Sequence, residues 1–154
     1  MKTKSYLAIA SSLFLLPLLF SSPTNAQSLE MKRKMKDWNQ TIESGKETLA
    51  ENCGKSFEVD LITENWENVS AEQKEYSVGA HCSDGCLYGV QITCNDDLGK
   101  EAVASKIDKI VCQLQSEDTP KISLDEKTKT MSCGFSLKKT NFQNDTKAQL
   151  EKLL

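Results

Sequence analysis

The stretch AHCSDGCLYGVQITC, Ala80 to Cys94, concentrates the reactive side chains of this 154-residue chain. It holds the single histidine, His81, and three of the six cysteines, Cys82, Cys86 and Cys94. Three chemistries use such a set. A thiolate beside an imidazole is the nucleophile and base of a thiol enzyme. Thiolates at short spacing with an imidazole hold zinc. Cysteines in an oxidising compartment form disulfides.

Spacing weighs against the first two. Cys82 and Cys86 are separated by three residues, within the loose range of a zinc knuckle, but no second pair follows. No C-x-x-C occurs, so the thioredoxin-like redox pattern is missing. Haem attachment needs C-x-x-C-H, and here the histidine precedes its cysteine. One histidine is too few for H-E-x-x-H.

The start of the chain favours the third. MKTKSYLAIASSLFLLPLLFSSPTNAQ has Lys2 and Lys4, then an apolar run from Tyr6 to Phe20, then Thr24 and Ala26 ahead of a cut before Gln27. That order is a secretory signal peptide. The run is short of the ~20 apolar residues of a membrane span, and no later segment could anchor the mature chain. The expectation is a signal peptide over 1–26 and one secreted domain over 27–154. Six cysteines, an even number, all fall in that domain and read as three disulfides.

Charge narrows the partners. The cut removes Lys2 and Lys4 from 19 basic residues and none of the 22 acidic ones, so the mature chain is more acidic than the formal −3 of the whole. Arg33 is the only arginine. Nucleic-acid binding rests on phosphate neutralisation, so no nucleic acid is expected. The one basic cluster, Lys32-Arg33-Lys34 with Lys36, reads as the solvated face of a helix.

The elements that must position Ala80–Cys94 follow from hydrophobic period. Met31, Met35, Trp38, Ile42 and Leu49 form one stripe of a helix over Ser28–Asn52, ending at Cys53-Gly54. The period then changes to two. Phe57, Val59 and Leu61 share a face, as do Tyr76, Val78, Ala80 and Cys82, and Tyr88, Val90, Ile92 and Cys94. With Ser83-Asp84-Gly85 as a turn, the opening stretch reads as a β-hairpin, with His81 on the face opposite Cys82. Asp96-Asp97 cap a helix over Leu98–Asp108. Ile110, Cys112 and Leu114, then Ile122 and Leu124, then Met131, Cys133, Phe135 and Leu137 give three more strands. Asn144 or Asp145 caps a last helix. The expected fold is α+β in two layers, an antiparallel sheet of about five to six strands with helices, in the order α-βββ-α-βββ-α, stabilised by disulfides.

A meander of the last three strands puts Cys112 and Cys133 about 10 Å apart, beyond disulfide reach. Cys53 and Cys82 then pair across the first strands, Cys94 and Cys112 close over the second helix, and Cys86 is left with Cys133. Exchanging Cys82 and Cys86 is the competing set. The polar segment Thr63–Glu75 is a candidate binding loop. Its Trp66 is either an exposed anchor or folded back on the sheet edge.

Trp38-Asn39, Cys53-Gly54 before the first strand, and NDDLGKEAV (Asn95 to Val103) together resemble small exported proteins of Gram-negative bacteria. The resemblance carries no function, ligand or site with it. Three N-x-S/T sequons, at Asn39, Asn68 and Asn144, point the other way, to a glycosylating host.

No G-x-S-x-G elbow, P-loop or Rossmann fingerprint occurs. The reading is a secreted or periplasmic non-catalytic binding module without a cofactor. It meets another extracytoplasmic protein or inhibits a secreted enzyme. The alternative is a small hydrolase or thiol/metal enzyme using His81–Cys94.

Overall fold

The apolar stripe at the start forms the helix α1 (Thr24–Cys53). Trp38, Ile42 and Leu49 are buried, and Met31 and Met35 pack partly against the same core. The helix stops at Gly54, whose φ of 70° is left-handed. Glycine adopts that conformation without a Cβ penalty. Its N–H reaches back to the Ala50 carbonyl at 2.8 Å. The computed structural model describes residues 24–154 except 65, 67, 68, 71, 72, 74 and 75, with the backbone alone at 24–28. Of the expected signal peptide, residues 1–23 lie outside the described residues, as does Asn68 of its sequon. Asn39 and Asn144 are exposed.

After β1 (Glu58–Ile62) the expected hairpin does not form. Residues 78–93 are helical without a break: α2 (Val78–Ala80), a π-helical segment π1 (His81–Leu87), and α3 (Tyr88–Thr93). The Ser77 hydroxyl caps the start by accepting from the Ala80 N–H at 3.1 Å. The buried residues explain the difference. Val78, Cys82, Cys86, Val90 and Cys94 recur every four positions, a helical spacing that also falls on a period of two. Tyr76 and Tyr88, which alternation alone would place inside, are 48% and 43% exposed.

The second half follows the hydrophobic pattern. α4 (Asp97–Lys106) is capped by Asp96, whose Oδ1 accepts from the Gly99 N–H at 2.8 Å. Then come β2 (Lys109–Leu114), β3 (Lys121–Asp125), β4 (Thr130–Phe135) and α5 (Gln143–Leu150). α5 starts earlier than expected, after Phe142, and no side chain caps it.

The fold is mixed α+β, but the sheet among the described residues has four strands, in the order β1-β2-β4-β3. It is not the antiparallel sheet of five or six strands that alternation suggests. β1, β2 and β4 run parallel, and only β3 is antiparallel. A parallel β1–β2 pair needs a long crossover, which residues 63–108 supply. The meander is also corrected. β4 lies between β2 and β3, because its inner residues Met131, Cys133 and Phe135 are fully enclosed whereas KISLD alternates half-buried and exposed at the edge. The helical layer covers the face that carries Ile110, Cys112, Leu114, Met131, Cys133 and Phe135. Among the described residues no helix is long and apolar enough to cross a membrane.

Candidate functional site

All six cysteines are bridged. Cys53, the last residue of α1, joins Cys94 at the end of α3, with Cα atoms 5.2 Å apart. Cys82 joins Cys112 at 5.7 Å, and Cys86 joins Cys133 at 6.1 Å. The Cys86–Cys133 bridge is the pair expected from sequence. Cys53–Cys82 and Cys94–Cys112 are not formed. The first assumed that Cys82 ended a strand beside β1. In the helix it instead faces β2, which leaves Cys94 to meet Cys53 where α1 and α3 both end.

His81 does not sit on an open sheet face. It is half-buried among aromatic rings: stacked on Phe135 at 6.0 Å and 18°, tilted on Phe142 at 6.5 Å, and edge-on to Tyr76 at 6.3 Å. Its Nδ1 lies 2.9 Å from the Ser77 carbonyl oxygen, which only accepts, so Nδ1 carries the proton. Nε2 is enclosed and has no hydrogen-bond partner among the described residues. The dense stretch therefore bolts helix to sheet and packs the core. Among the described residues, no group of three His, Cys, Asp or Glu side chains could hold a metal ion.

Trp66 is folded inward, not exposed. It is 8% exposed and meets Trp38 edge-on, with ring centroids 4.9 Å apart. Lys34 Nζ stands 5.3 Å from its ring centroid, within cation–π range. Trp66 thus anchors its loop. Val69 and Gln73 of that loop line a crevice at the carboxyl ends of β2 and β4, with Leu114, Gln115, Ser136 and Lys138. Open α/β sheets often bind ligands at such ends. Here most of the polar groups, Ser116 apart, are already engaged. The Gln115 amide donates to the Glu117 and Thr119 carbonyls at 3.1 and 2.8 Å. The Ser136 hydroxyl donates to Asp118 and accepts from the Lys138 N–H, both at 3.3 Å.

A second groove differs in that respect. It runs between α1, π1–α3 and the turn before α5, with a volume near 460 Å³. Ser44 and Thr48 come from α1, Ser83 and Asp84 from π1, Tyr88 and Gln91 from α3, and Asn141 and Gln143 from the chain entering α5. The side chains of Ser83, Asp84, Tyr88, Gln91, Asn141 and Gln143 make no hydrogen bond or ion pair among the described residues. Among the described residues Asp84 is the only charged one in the lining.

Local structure holds this groove open. Gly45 lets π1 approach α1, since a Cβ there would lie 2.3 Å from Ser83 Oγ. The bridges from Cys82 and Cys86 fix π1 to the sheet. Asn141 has a left-handed φ of 58°, one of the few conformations of that kind that asparagine tolerates. The π-helical turn itself is a recurrent feature of functional sites. Hydrophobic pattern could not reveal the groove, because its residues are polar and come from four separate segments. The helical period of residues 78–94 was the available signal.

No family model, curated protein or solved structure matches the chain.

Proposed function

We propose that the chain is an exported, disulfide-stapled binding module that meets an extracytoplasmic partner through the groove beside π1. Export rests on the n-, h- and c-region order of residues 1–26. The three bridges suit an oxidising compartment. The observation that carries binding is the set of six polar side chains facing one groove with no hydrogen-bond or ion-pair partner among the described residues. Polar side chains held on rigid elements with unused hydrogen-bonding capacity are what a recognition surface needs.

The competing reading, a thiol or metal enzyme on His81–Cys94, is disfavoured by chemistry. A thiol mechanism would require opening a bridge that ties π1 to the sheet. The test is hydrogen exchange of the oxidised protein mixed with envelope and culture-fluid fractions of its own cells. Peptides covering 81–91 and 139–145 should gain protection. Unchanged exchange there, or protection confined to the opposite side of the sheet, would defeat the reading.

A further inference from the structure

The same groove also specifies a ligand class, and this step rests on the binding-module reading. Charged residues make up 27% of the chain, yet Asp84 is the sole charge among the groove's described lining residues. Among the described residues no lysine or arginine lines it, so it offers nothing to neutralise a phosphate or a carboxylate. Asp84 itself repels anions. An anionic ligand is therefore disfavoured twice.

An apolar ligand is disfavoured as well. Small-molecule pockets are usually lined mainly by hydrophobic side chains, whereas this one is lined by hydroxyls, carboxamides and a carboxylate. Gln91, Asn141 and Gln143 each present a carbonyl acceptor and an NH₂ donor in one plane. A hydroxyl group is both donor and acceptor, so two neighbouring hydroxyls on a ring match a carboxamide in both senses. Asp84 accepts from hydroxyls through both oxygens. Tyr88 adds an exposed aromatic face, 43% accessible, on which the C–H side of a sugar ring can lie while the phenol takes a further hydroxyl. The volume near 460 Å³ falls within the ~300–1,000 Å³ of small-ligand sites.

We propose that this groove binds an uncharged oligosaccharide, with Tyr88 as the stacking platform and Asp84, Gln91, Asn141 and Gln143 as the hydroxyl-reading groups. Its shape is set before binding, because π1 is bridged to both central strands. The affinity therefore does not carry the cost of ordering the site.

The experiment is an amide-resolved NMR titration of the oxidised protein. One arm uses soluble cello-, malto-, manno- and chito-oligosaccharides at millimolar concentration. A second arm measures co-sedimentation with insoluble cellulose and chitin, which separates recognition of free oligomers from recognition of a polymer surface. The expected result is a shift of backbone signals over residues 83–91 and 141–143 and of the Gln91, Asn141 and Gln143 side-chain amides. Tyr88→Ala and, independently, Gln91→Ala should weaken the binding by about tenfold or more. Both residues face solvent at least in part, so both variants should melt with the parent. An oligogalacturonate of equal length should bind more weakly than the neutral oligomers. No shift in the groove with any neutral oligosaccharide and no co-sedimentation overturns the proposal, as does binding that survives Tyr88→Ala. If the envelope fraction still protects the groove while every saccharide fails, the saccharide is wrong and the binding module stands.

Discussion

Cys112 and Cys133 are register partners on the adjacent parallel strands β2 and β4, yet neither bonds the other. Each takes a cysteine of π1 instead. Cys82 and Cys86 lie about one helical turn apart, near 5.4 Å of rise, and adjacent strands are spaced about 4.8 Å. The near match lets one helical turn, laid across two strands, meet both. The pair of bridges therefore fixes both the position and the direction of π1 on the sheet.

Peptide mapping of the unreduced protein should accordingly recover Cys53–Cys94, Cys82–Cys112 and Cys86–Cys133. Replacing Cys86 and Cys133 together by alanine should lower unfolding stability by about 2–4 kcal/mol, the usual loss for a native bridge. Denaturant unfolding measures it. Recovery of a Cys53–Cys82 peptide would refute the helical placement of residues 78–93.

Gly85 gives a second test of that placement. A Cβ at this position would stand 2.0 Å from Phe142 Cζ, and the Phe142 ring is fully enclosed. Gly85→Ala must therefore displace a ring with nowhere to go, at about 1–3 kcal/mol for an overpacked core. Combining it with Phe142→Val should restore part of the loss. The double-mutant cycle should show a coupling above the roughly 0.5 kcal/mol of independent sites. Simple additivity would mean that the two residues do not touch.

Why the hairpin reading fails is visible in particular residues. Val78, Cys82, Cys86, Val90 and Cys94 satisfy alternation only because every fourth position is also an even one. Ala80 is half-buried, and Tyr76 and Tyr88 are exposed. Gly79, Gly85 and Gly89 sit in helix, where glycine is unfavourable, so they read locally as turn and strand punctuation. Tertiary contact overrides that preference. Gly79 packs against the Trp38 backbone, Gly85 against Phe142, and Gly89 against Thr146. The strands of the second half were legible because each alternates cleanly. Their order was not, since it depends on which strand lies buried in the middle. Of the groove only the helical period of residues 78–94 was there to be read. Tyr88 counted as core, and Asn141 and Gln143 carry no pattern until α1, π1 and α5 are brought together.

Lys55 should contribute to the acid side of stability. Its ammonium donates to the Ala104 and Ile107 carbonyls, each at 2.8 Å, at the carboxyl end of α4, and pairs with Asp108. That hydrogen bond outweighs an opposing desolvation and, with the lesser help of the charges of Lys55 and Lys129, holds the Asp108 carboxyl below its ordinary 3.8. A lowered carboxyl binds its proton more readily in the unfolded chain. Its stabilisation is therefore complete above the unfolded value and is lost as the pH falls below it, through the folded one. The melting temperature should drop as the pH falls below the ordinary carboxylate range. Lys55→Met should lower it at neutral pH and flatten that acid slope. An unchanged slope would show that Asp108 does not sense Lys55.

His81 separates packing from hydrogen bonding. Its ring fills space between Phe135, Phe142 and Tyr76, and among the described residues only Nδ1 has a partner, the Ser77 carbonyl. Nε2 is enclosed without one, which is an unfavourable burial. His81→Ala removes the ring and leaves a gap against two phenylalanines. A loss of roughly 1–3 kcal/mol is expected, toward the lower end because the residue is only half-buried. His81→Phe keeps the ring volume and deletes the unpartnered nitrogen, while giving up the bond to Ser77. Those changes oppose each other, so its stability should lie within about 1 kcal/mol of the parent, since the bond lost and the polar atom relieved are of similar size. Thermal and denaturant unfolding of both variants give the comparison. Neither change touches the lining of the groove beside π1, so oligosaccharide binding should survive in His81→Phe. Loss of binding in that variant at parental stability would move the functional centre to the imidazole. Equal stability of His81→Ala and the parent would show that the ring is not part of the core.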